Sequence, residues 1–331
     1  MIACIVPAYK ARSTVSSVVG ALLPYVDFVV VVDDGCPDRS GEAVKAEFGS
    51  DPRVAVLQRE RNGGVGAAVK TGIAECLARG ASIVIKVDAD GQMDPANIPA
   101  MIEMLKSDAH VGFVKGNRFV DESVLSTMPK VRFFGNAVLS LLVKGASGFW
   151  NILDPTNGFI GFNAAVLSTL PWKNFDDTYF FEISILGELG LRQVSIGEIT
   201  VSTIYNNGGS SLSIRRVMLE FPPKIMKLFV RRLLLHYFLF DVNVGSLYIM
   251  FGSLLVVIGA ALGVAEWFAT LHTGHARSAG TVMLAVLPIL IGFQLLSNAL
   301  LFDVQFSPKV ERQIGTRAKE SVRFMNVRHG S

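Results

Sequence analysis

Hydrophobic positions follow two regimes along the chain. In the first two-thirds, short apolar runs, "ACIVP", "FVVVVDD", "VAVLQ" and "SIVIKVDAD", alternate with helix-like segments near residues 13–23, 40–48, 64–79 and 95–107. Runs that short, bounded by turn residues, read as buried strands, and their alternation with helices predicts an α/β domain with a mainly parallel sheet covered on both faces. The second regime begins beyond residue 240: from Leu247 to Ala265, and again from Ala279 to Phe302, no residue is charged. About 20 apolar residues cross a bilayer core, so the pattern predicts two membrane spans rather than two buried core helices. Gln294, Ser297 and Asn298 are expected to face a protein partner within the bilayer. Before the first span, "IRRVMLEFPPKIMKLFVRRLLLHYFLF" mixes basic and bulky apolar residues. It predicts helical segments, broken at Pro222-Pro223, lying on an anionic membrane surface. The expected divisions are 1–210 for the α/β domain, 211–241 for interfacial helices, 242–303 for the hairpin and 304–331 for a basic tail.

Charge orients the hairpin. Arg215, Arg216, Lys224, Lys227, Arg231 and Arg232 precede it, Lys309, Arg312, Arg317, Lys319, Arg323 and Arg328 follow it, and the connecting loop offers Arg277. The positive-inside rule then puts both termini in the cytoplasm and residues 272–277 across a cell (inner) membrane. The chain as a whole is 50% hydrophobic with a net charge of +3, so no global basic field argues for nucleic acid. Cys4, Cys36 and Cys76 are far apart and form neither a metal spacing nor a disulfide framework. "MIACIVPAY" reads as a first strand rather than a signal peptide.

The chemistry concentrates where strands are expected to end. "KVDADGQMDP" follows the apolar run Ile83–Ile85 and packs Asp88, Asp90, Gln92 and Asp94 into seven positions. If the backbone stays extended there, Asp88 and Asp90 point the same way. With the Gln92 amide they would make a hard-oxygen half-shell for Mg²⁺ or Mn²⁺, completed by a diphosphate and water. A solvated turn is the alternative, and the EF-hand pattern fails at Gln92, Met93 and Pro99. Open parallel sheets bind ligands at the carboxyl ends of their strands, so Pro7-Ala8-Tyr9, Asp33-Asp34 and Asp88–Asp90 should converge on one crevice. That crevice lies upstream of residue 242, and removing 242–331 is expected to leave it intact.

"VPAYK", "VVDDGCPDRSG", "RNGGVGAAVKTG", "VDADGQMDP", "KGNRF" and "DPTNGF" stand in the order and spacing of family 2 glycosyltransferases. Across about residues 1–210 the chain resembles the dolichyl- and polyprenyl-phosphate sugar synthases, and its tail resembles bacterial members with two C-terminal spans. The resemblance implies a GT-A (Rossmann-like) fold and transfer of a hexose from a nucleotide-sugar, UDP- or GDP-linked, to polyprenyl phosphate with inversion. It implies that Pro7, Ala8 and Tyr9 pack base and ribose, and that Asp33 and Asp34 meet the nucleotide, helix capping being the alternative for one of them. Asp88 would touch nucleotide and metal, with Asp90 and Gln92 as the other metal ligands. Lys70 would meet phosphate or be solvated. Arg118 and Arg132, with Lys130 as an alternate, match positions that bind the acceptor phosphate; Arg132 could equally be a membrane-facing charge. Glu182 would orient the acceptor or a sugar hydroxyl, or stand on a helix surface.

Two departures stand out. The family's acid at position 11 is Ala11, and Ile204, Asn207 and Gly208 occupy the region where related chains carry a loop-closing Arg and an acidic pair. Arg215 or Arg216 would have to serve instead. The expected activity is a membrane-anchored, metal-dependent hexosyltransferase using polyprenyl phosphate, with a lipid-linked saccharide or other glycolipid as the alternative acceptor. A nucleotidyltransferase would open on a Gly- and basic-rich loop after the first strand, which "VPAYKARST" is not. A silent scaffold fits poorly with the acidic turn, and no Gln-x-x-Arg-Trp signature of processive synthases is present. The residues leave a homo-oligomer open.

Overall fold

The computed structural model describes residues 1–107, 111–118, 130–201 and 214–313, without the side chains of 130–133, 173 and 214–218. Eight strands form one sheet: β1 (Ile2–Ala8), β2 (Phe28–Asp33), β3 (Val54–Gln58), β4 (Ile83–Lys86), β5 (Val111–Asn117), β6 (Ile160–Asn163), β7 (Ser195–Thr200) and β8 (Val310–Gln313), in the order β3-β2-β1-β4-β6-β5-β7-β8. Every pairing is parallel except those of β6, which runs antiparallel to both β4 and β5. The expected mainly parallel α/β sheet is what the chain forms.

The strands are apolar on both faces because both faces are covered. From β1 and β2, Ala3, Ile5, Phe28, Val30 and Val32 face one core layer, and Cys4, Val6, Ala8, Val29 and Val31 face the other. The first layer is closed by α3 (Val65–Ala78), α5 (Lys130–Ser147) and α7 (Phe181–Leu191); the second is closed by α1 (Val15–Leu22), α2 (Ser40–Phe48) and α4 (Ile98–Ser107). A short α6 (Ala164–Thr169) follows β6. Strand order reverses at β1, whose neighbours β2 and β4 lie on opposite sides, so the carboxyl ends of β1 and β4 flank the crevice such sheets use for ligands.

Two elements differ from the pattern. α8 runs unbroken from Ile214 to Leu234 through Pro222 and Pro223. Both prolines lie on its exposed side, where the carbonyls they leave without an N–H can be hydrated, while Phe221, Ile225 and Leu228 on the opposite side pack into the first core layer. The second is β8, which pairs with β7 although the tail had been expected to stand apart from residue 304. Residues 1–228 and 308–331 accordingly make one compact unit, and 229–307 make another.

In the second unit, α9 (Val244–Thr273) and α10 (Ala279–Gln305) are long and apolar enough to cross a membrane, with mean hydropathies of 2.3 and 2.1 over their best windows. They pack on a seam of small residues spaced by seven: Gly245, Gly252 and Gly259 on one helix, Ala285, Gly292 and Ala299 on the other. At the hairpin's base, Arg232 pairs with Asp303 at 2.8 Å, and the Tyr237 hydroxyl donates to the same carboxylate at 2.7 Å.

Candidate active site

β4 ends at Lys86, and the acidic motif beyond it is a turn rather than extended strand, with Gly91 at φ 73°. Alternation along a strand therefore does not set the two carboxylates, contrary to the expectation. Asp88 turns inward: its Oδ1 lies 2.6 Å from Lys86 Nζ, and the same ammonium lies 3.1 Å from Glu182 Oε1. Asp90 accepts the Gln92 backbone N–H at 3.0 Å. Thr14 Oγ1 donates to the Ala89 carbonyl at 2.6 Å, which ties this turn to the segment following β1.

Electrostatics divides the two acids. Burial lowers the Lys86 pKa, but Asp88 and Glu182 overcome that and hold it above the ordinary lysine value. Asp90 has no such cation at contact distance; burial, and then the charge of Asp88, push its carboxyl above the usual range. A divalent cation is the group that would relieve this, and the oxygen-only donor set of Asp88, Asp90 and Gln92 suits Mg²⁺ or Mn²⁺. Among the described residues no three His, Cys, Asp or Glu side chains gather as a metal cluster.

A row of charge crosses the sheet beside that turn. The register pairs Lys86 with Ile160, Ile160 with Lys115, Lys115 with Glu198, and Glu198 with Arg312, so residues from five strands stand side by side. Paired residues project to the same face, and here that face carries the segment Leu153–Gly158. Glu198 Oε1 accepts the N–H groups of Leu153 at 2.8 Å and Asp154 at 3.1 Å. Lys115 Nζ donates to the Asn157 carbonyl. At Gly158 a Cβ would lie 2.6 Å from Lys86 Nζ and 3.1 Å from Asp88 Oδ2, so this glycine lets the loop press onto the Lys86–Asp88 pair. Burial lowers the Lys115 pKa to about 8, and Asp154 and Glu182 oppose it only in part. Asp154 is fully buried and holds Arg118 by two contacts, Nε at 2.8 Å and Nη2 at 3.2 Å. Arg118 remains one-third exposed, with its side chain at 34%.

The remaining candidates distribute as follows. Pro7 and Ala8 end β1, and Tyr9 is exposed just beyond, with Lys10 Nζ 5.5 Å from its ring centre. Asp33 uses both oxygens on backbone, accepting Cys36 N at 2.8 Å and Gly41 N, in the first turn of α2, at 2.7 Å. Asp34 pairs with Arg59 and accepts Gly64 N at 2.8 Å, anchoring the glycine loop before α3. Gly64 has φ 95°, and a Cβ there would meet the Asp177 carbonyl at 2.5 Å, so close packing requires it. Lys70 donates to the Phe175 carbonyl at 3.1 Å and pairs with Asp177 at 2.5 Å, so it contacts the segment that precedes α7. Glu182 is buried in the first turn of α7, not on a helix surface. Arg132 and Lys130 fall in α5 with side chains outside the described set, as are those of Arg215 and Arg216; Ile204, Asn207 and Gly208 lie outside the described residues altogether. A cleft of about 490 Å³ opens at the ends of β2 and β3, lined by Gly35, Cys36, Gln58, Arg59 and Glu60.

Sequence reasoning missed Lys86, Lys115, Asp154, Glu198 and Arg312. Lys86, Lys115 and Glu198 carried a signal as single charges inside otherwise uncharged strands, and Asp154 as the first residue of "DPTNGF". At position 11, where the resembled chains carry an acid, the Ala11 N–H donates to Ser40 Oγ at 3.0 Å and joins the first two strand-end loops.

Comparison with known proteins places this arrangement. The chain is 27% identical over 218 residues to a UDP-N-acetylglucosamine–dolichyl-phosphate N-acetylglucosaminyltransferase of Methanococcus voltae, covering 62% of this chain and 86% of that one. It is 26% identical over 211 residues to an undecaprenyl-phosphate mannosyltransferase of Micrococcus luteus, covering 62% and 85%. Among solved structures, mannosyl-3-phosphoglycerate synthase from Rubrobacter xylanophilus superposes with a TM-score of 0.53 at 16% identity, over 73% of this chain and 77% of that one, a likeness of fold. The description "Glycosyl transferase family 2" matches residues 3–170, just over half of the 331. That match begins in β1 and ends past α6, taking in the acidic turn and the loop that presses on it: the chain belongs to glycosyl transferase family 2 and is a glycosyltransferase.

Proposed function

We propose that the protein transfers a hexose from a nucleotide-sugar to polyprenyl phosphate at a membrane surface, with a divalent cation and with inversion at the sugar. One observation carries this reading: the Leu153–Gly158 loop touches the acidic turn at Gly158 and holds Arg118 at Asp154. A site for a metal-bound diphosphate and a cation for a second phosphate therefore share one short loop. The relatives that use dolichyl and undecaprenyl phosphate support the acceptor class.

The cleft at the ends of β2 and β3 suits the nucleotide base, with Tyr9 beside the first strand end for stacking. Asp88, Asp90 and Gln92 would hold the cation, which when bound would neutralise charge on the departing nucleoside diphosphate. Arg118, oriented by Asp154, holds the acceptor phosphate; Arg132 or Lys130 adds to it. A phosphate monoester has a second pKa near 6 and is already nucleophilic at neutral pH, so no strong general base is needed. Its oxygen attacks the anomeric carbon from the face opposite the leaving group. Glu182, paired with Lys86 at 3.1 Å, would accept from a sugar hydroxyl.

The hairpin supplies proximity to the lipid. Residues on both its flanks belong to one sheet, which requires an even number of crossings between them and supports both termini on one side. The loop's Arg277 is paired with Glu266 at 2.8 Å, so the basic excess lies on the flanks and favours a cytoplasmic catalytic unit.

Asp90→Asn tests the reading. Transfer should fall by about a hundredfold or more with the melting temperature unchanged, and chelator should abolish the wild-type activity on undecaprenyl phosphate. Near-wild-type turnover by the variant, or full activity in excess chelator, contradicts the metal site. Turnover with a lipid-linked saccharide and none with polyprenyl phosphate replaces the acceptor.

A further inference from the structure

Glu198 is 2% exposed, yet it is a carboxylate in the middle of a strand. A buried charge of this kind is tolerated only where it is matched. Its Oε1 takes the Leu153 and Asp154 N–H groups, and its Oε2 faces Arg312 Nε at 3.5 Å. Arg312 also donates to the Asn151 carbonyl. Arg312 thus clamps the segment 151–154 from two sides, once directly and once through Glu198. The next residue contact is Asp154 to Arg118, by Nε at 2.8 Å, Nη2 at 3.2 Å and the Arg118 N–H at 3.3 Å. Burial raises the Glu198 pKa, and the two N–H groups and Arg312 pull it back only in part, so the cation helps to keep the carboxylate ionised.

Arg312 belongs to β8, the strand that follows the apolar hairpin in sequence. We propose that Arg312 and Glu198 are positioning residues for the lipid-phosphate site: through the Leu153-Asp154 backbone and the Asp154 carboxylate they set the Arg118 guanidinium, so the strand after the hairpin helps to define where the acceptor phosphate binds. The proposal rests on the reading of Arg118 as the acceptor contact. Loss of Arg312 releases the Asn151 carbonyl and removes the cation facing Glu198, which loosens the hold of Glu198 on Leu153 and Asp154. Asp154 then shifts and misorients Arg118, without touching the cleft at the ends of β2 and β3.

The test uses full-length protein in detergent, with undecaprenyl phosphate and, separately, magnesium with UDP or GDP as binding probes, and needs no turnover. Arg312→Ala should weaken undecaprenyl phosphate binding about three- to thirtyfold and leave nucleotide binding unchanged. Glu198→Gln keeps an oxygen for the two N–H groups but removes the charge, and should act in the same direction, which covers the case that Arg312→Ala fails to fold. Arg312→Lys, able to reach one of the two partners, should give an intermediate loss; Glu311→Ala, on the same strand, should give none. In an Arg118→Ala background, Arg312→Ala should have no further effect. If Arg118→Ala weakens lipid-phosphate binding and Arg312→Ala and Glu198→Gln do not, the positioning role is overturned while the reading of Arg118 stands. If Arg118→Ala has no effect, the reading itself falls. Additive losses in the double variant, or parallel losses of nucleotide binding, reduce Arg312 to a structural residue and also overturn the proposal.

Discussion

At Gly158 the loop has room for a hydrogen atom and nothing more. A methyl group there would press on Lys86 Nζ at 2.6 Å, Asp88 Oδ2 at 3.1 Å and Glu182 Oε1 at 3.3 Å. Gly158→Ala should leave the fold intact and lower kcat by about tenfold to a hundredfold, the scale of loss that small misplacements of reacting groups cause; steady-state kinetics with a melting curve checks both halves. Lys115 permits a second prediction, with its sign fixed by linkage. Its pKa falls to about 8 in the folded chain, below the roughly 10.4 of an unfolded lysine. Between those values the unfolded chain binds more protons, so this group makes stability rise with pH across that window. Wild type should therefore gain melting temperature relative to Lys115→Met from pH 8 to 10, and a constant difference would show that the buried amine does not titrate there. The acids at 88 and 90 were legible because they interrupt an apolar pattern at a strand end. Lys86 and Lys115 were not, because their meaning comes from register across three strands, and a single chain's periodicity does not state which strands are neighbours.

Helices and strands were legible in proportion to how apolar they are. The two long uncharged runs lie inside α9 and α10, which continue eight residues past Ala265 and three past Phe302, but the seam between them was hidden among residues that all look lipid-compatible. Small residues every seventh position let the backbones approach: a Cβ at Gly252 would meet the Gly292 carbonyl at 3.0 Å, and one at Gly259 the Ala285 carbonyl at 2.6 Å. Gly259→Leu should destabilise the hairpin, read as a lower melting temperature in detergent, while magnesium–nucleotide binding by the other unit stays at the wild-type value. α8 shows the opposite failure. Pro222-Pro223 reads as a helix break by local rule, and tertiary packing of Phe221, Ile225 and Leu228 overrides it. β8 was invisible for a third reason: "VERQ" carries two charges in four residues, as an edge strand is free to do.

Over the whole molecule, sequence order and spatial order part company at the last strand. Truncation before the hairpin is expected from the sequence to spare the strand-end crevice; the cleft at the ends of β2 and β3 is lined only by residues upstream of the hairpin, but the sheet is not complete without β8. A chain ending at Ser307 keeps both apolar helices and loses β8; one ending at Gln313 keeps all three. The shorter chain should melt about 2–8 °C lower and bind undecaprenyl phosphate more weakly, and equal melting temperatures would show that β8 adds nothing to the sheet. The same arrangement has a consequence for how the protein is made. A ribosome delivers β7 long before β8, and the 79 residues of the second unit emerge between them. During that interval the β7 edge offers its N–H and C=O groups to any passing strand. The sheet is finished only after both hairpin helices have been synthesised, so completion of the enzyme's fold waits on the segment that carries it to the membrane.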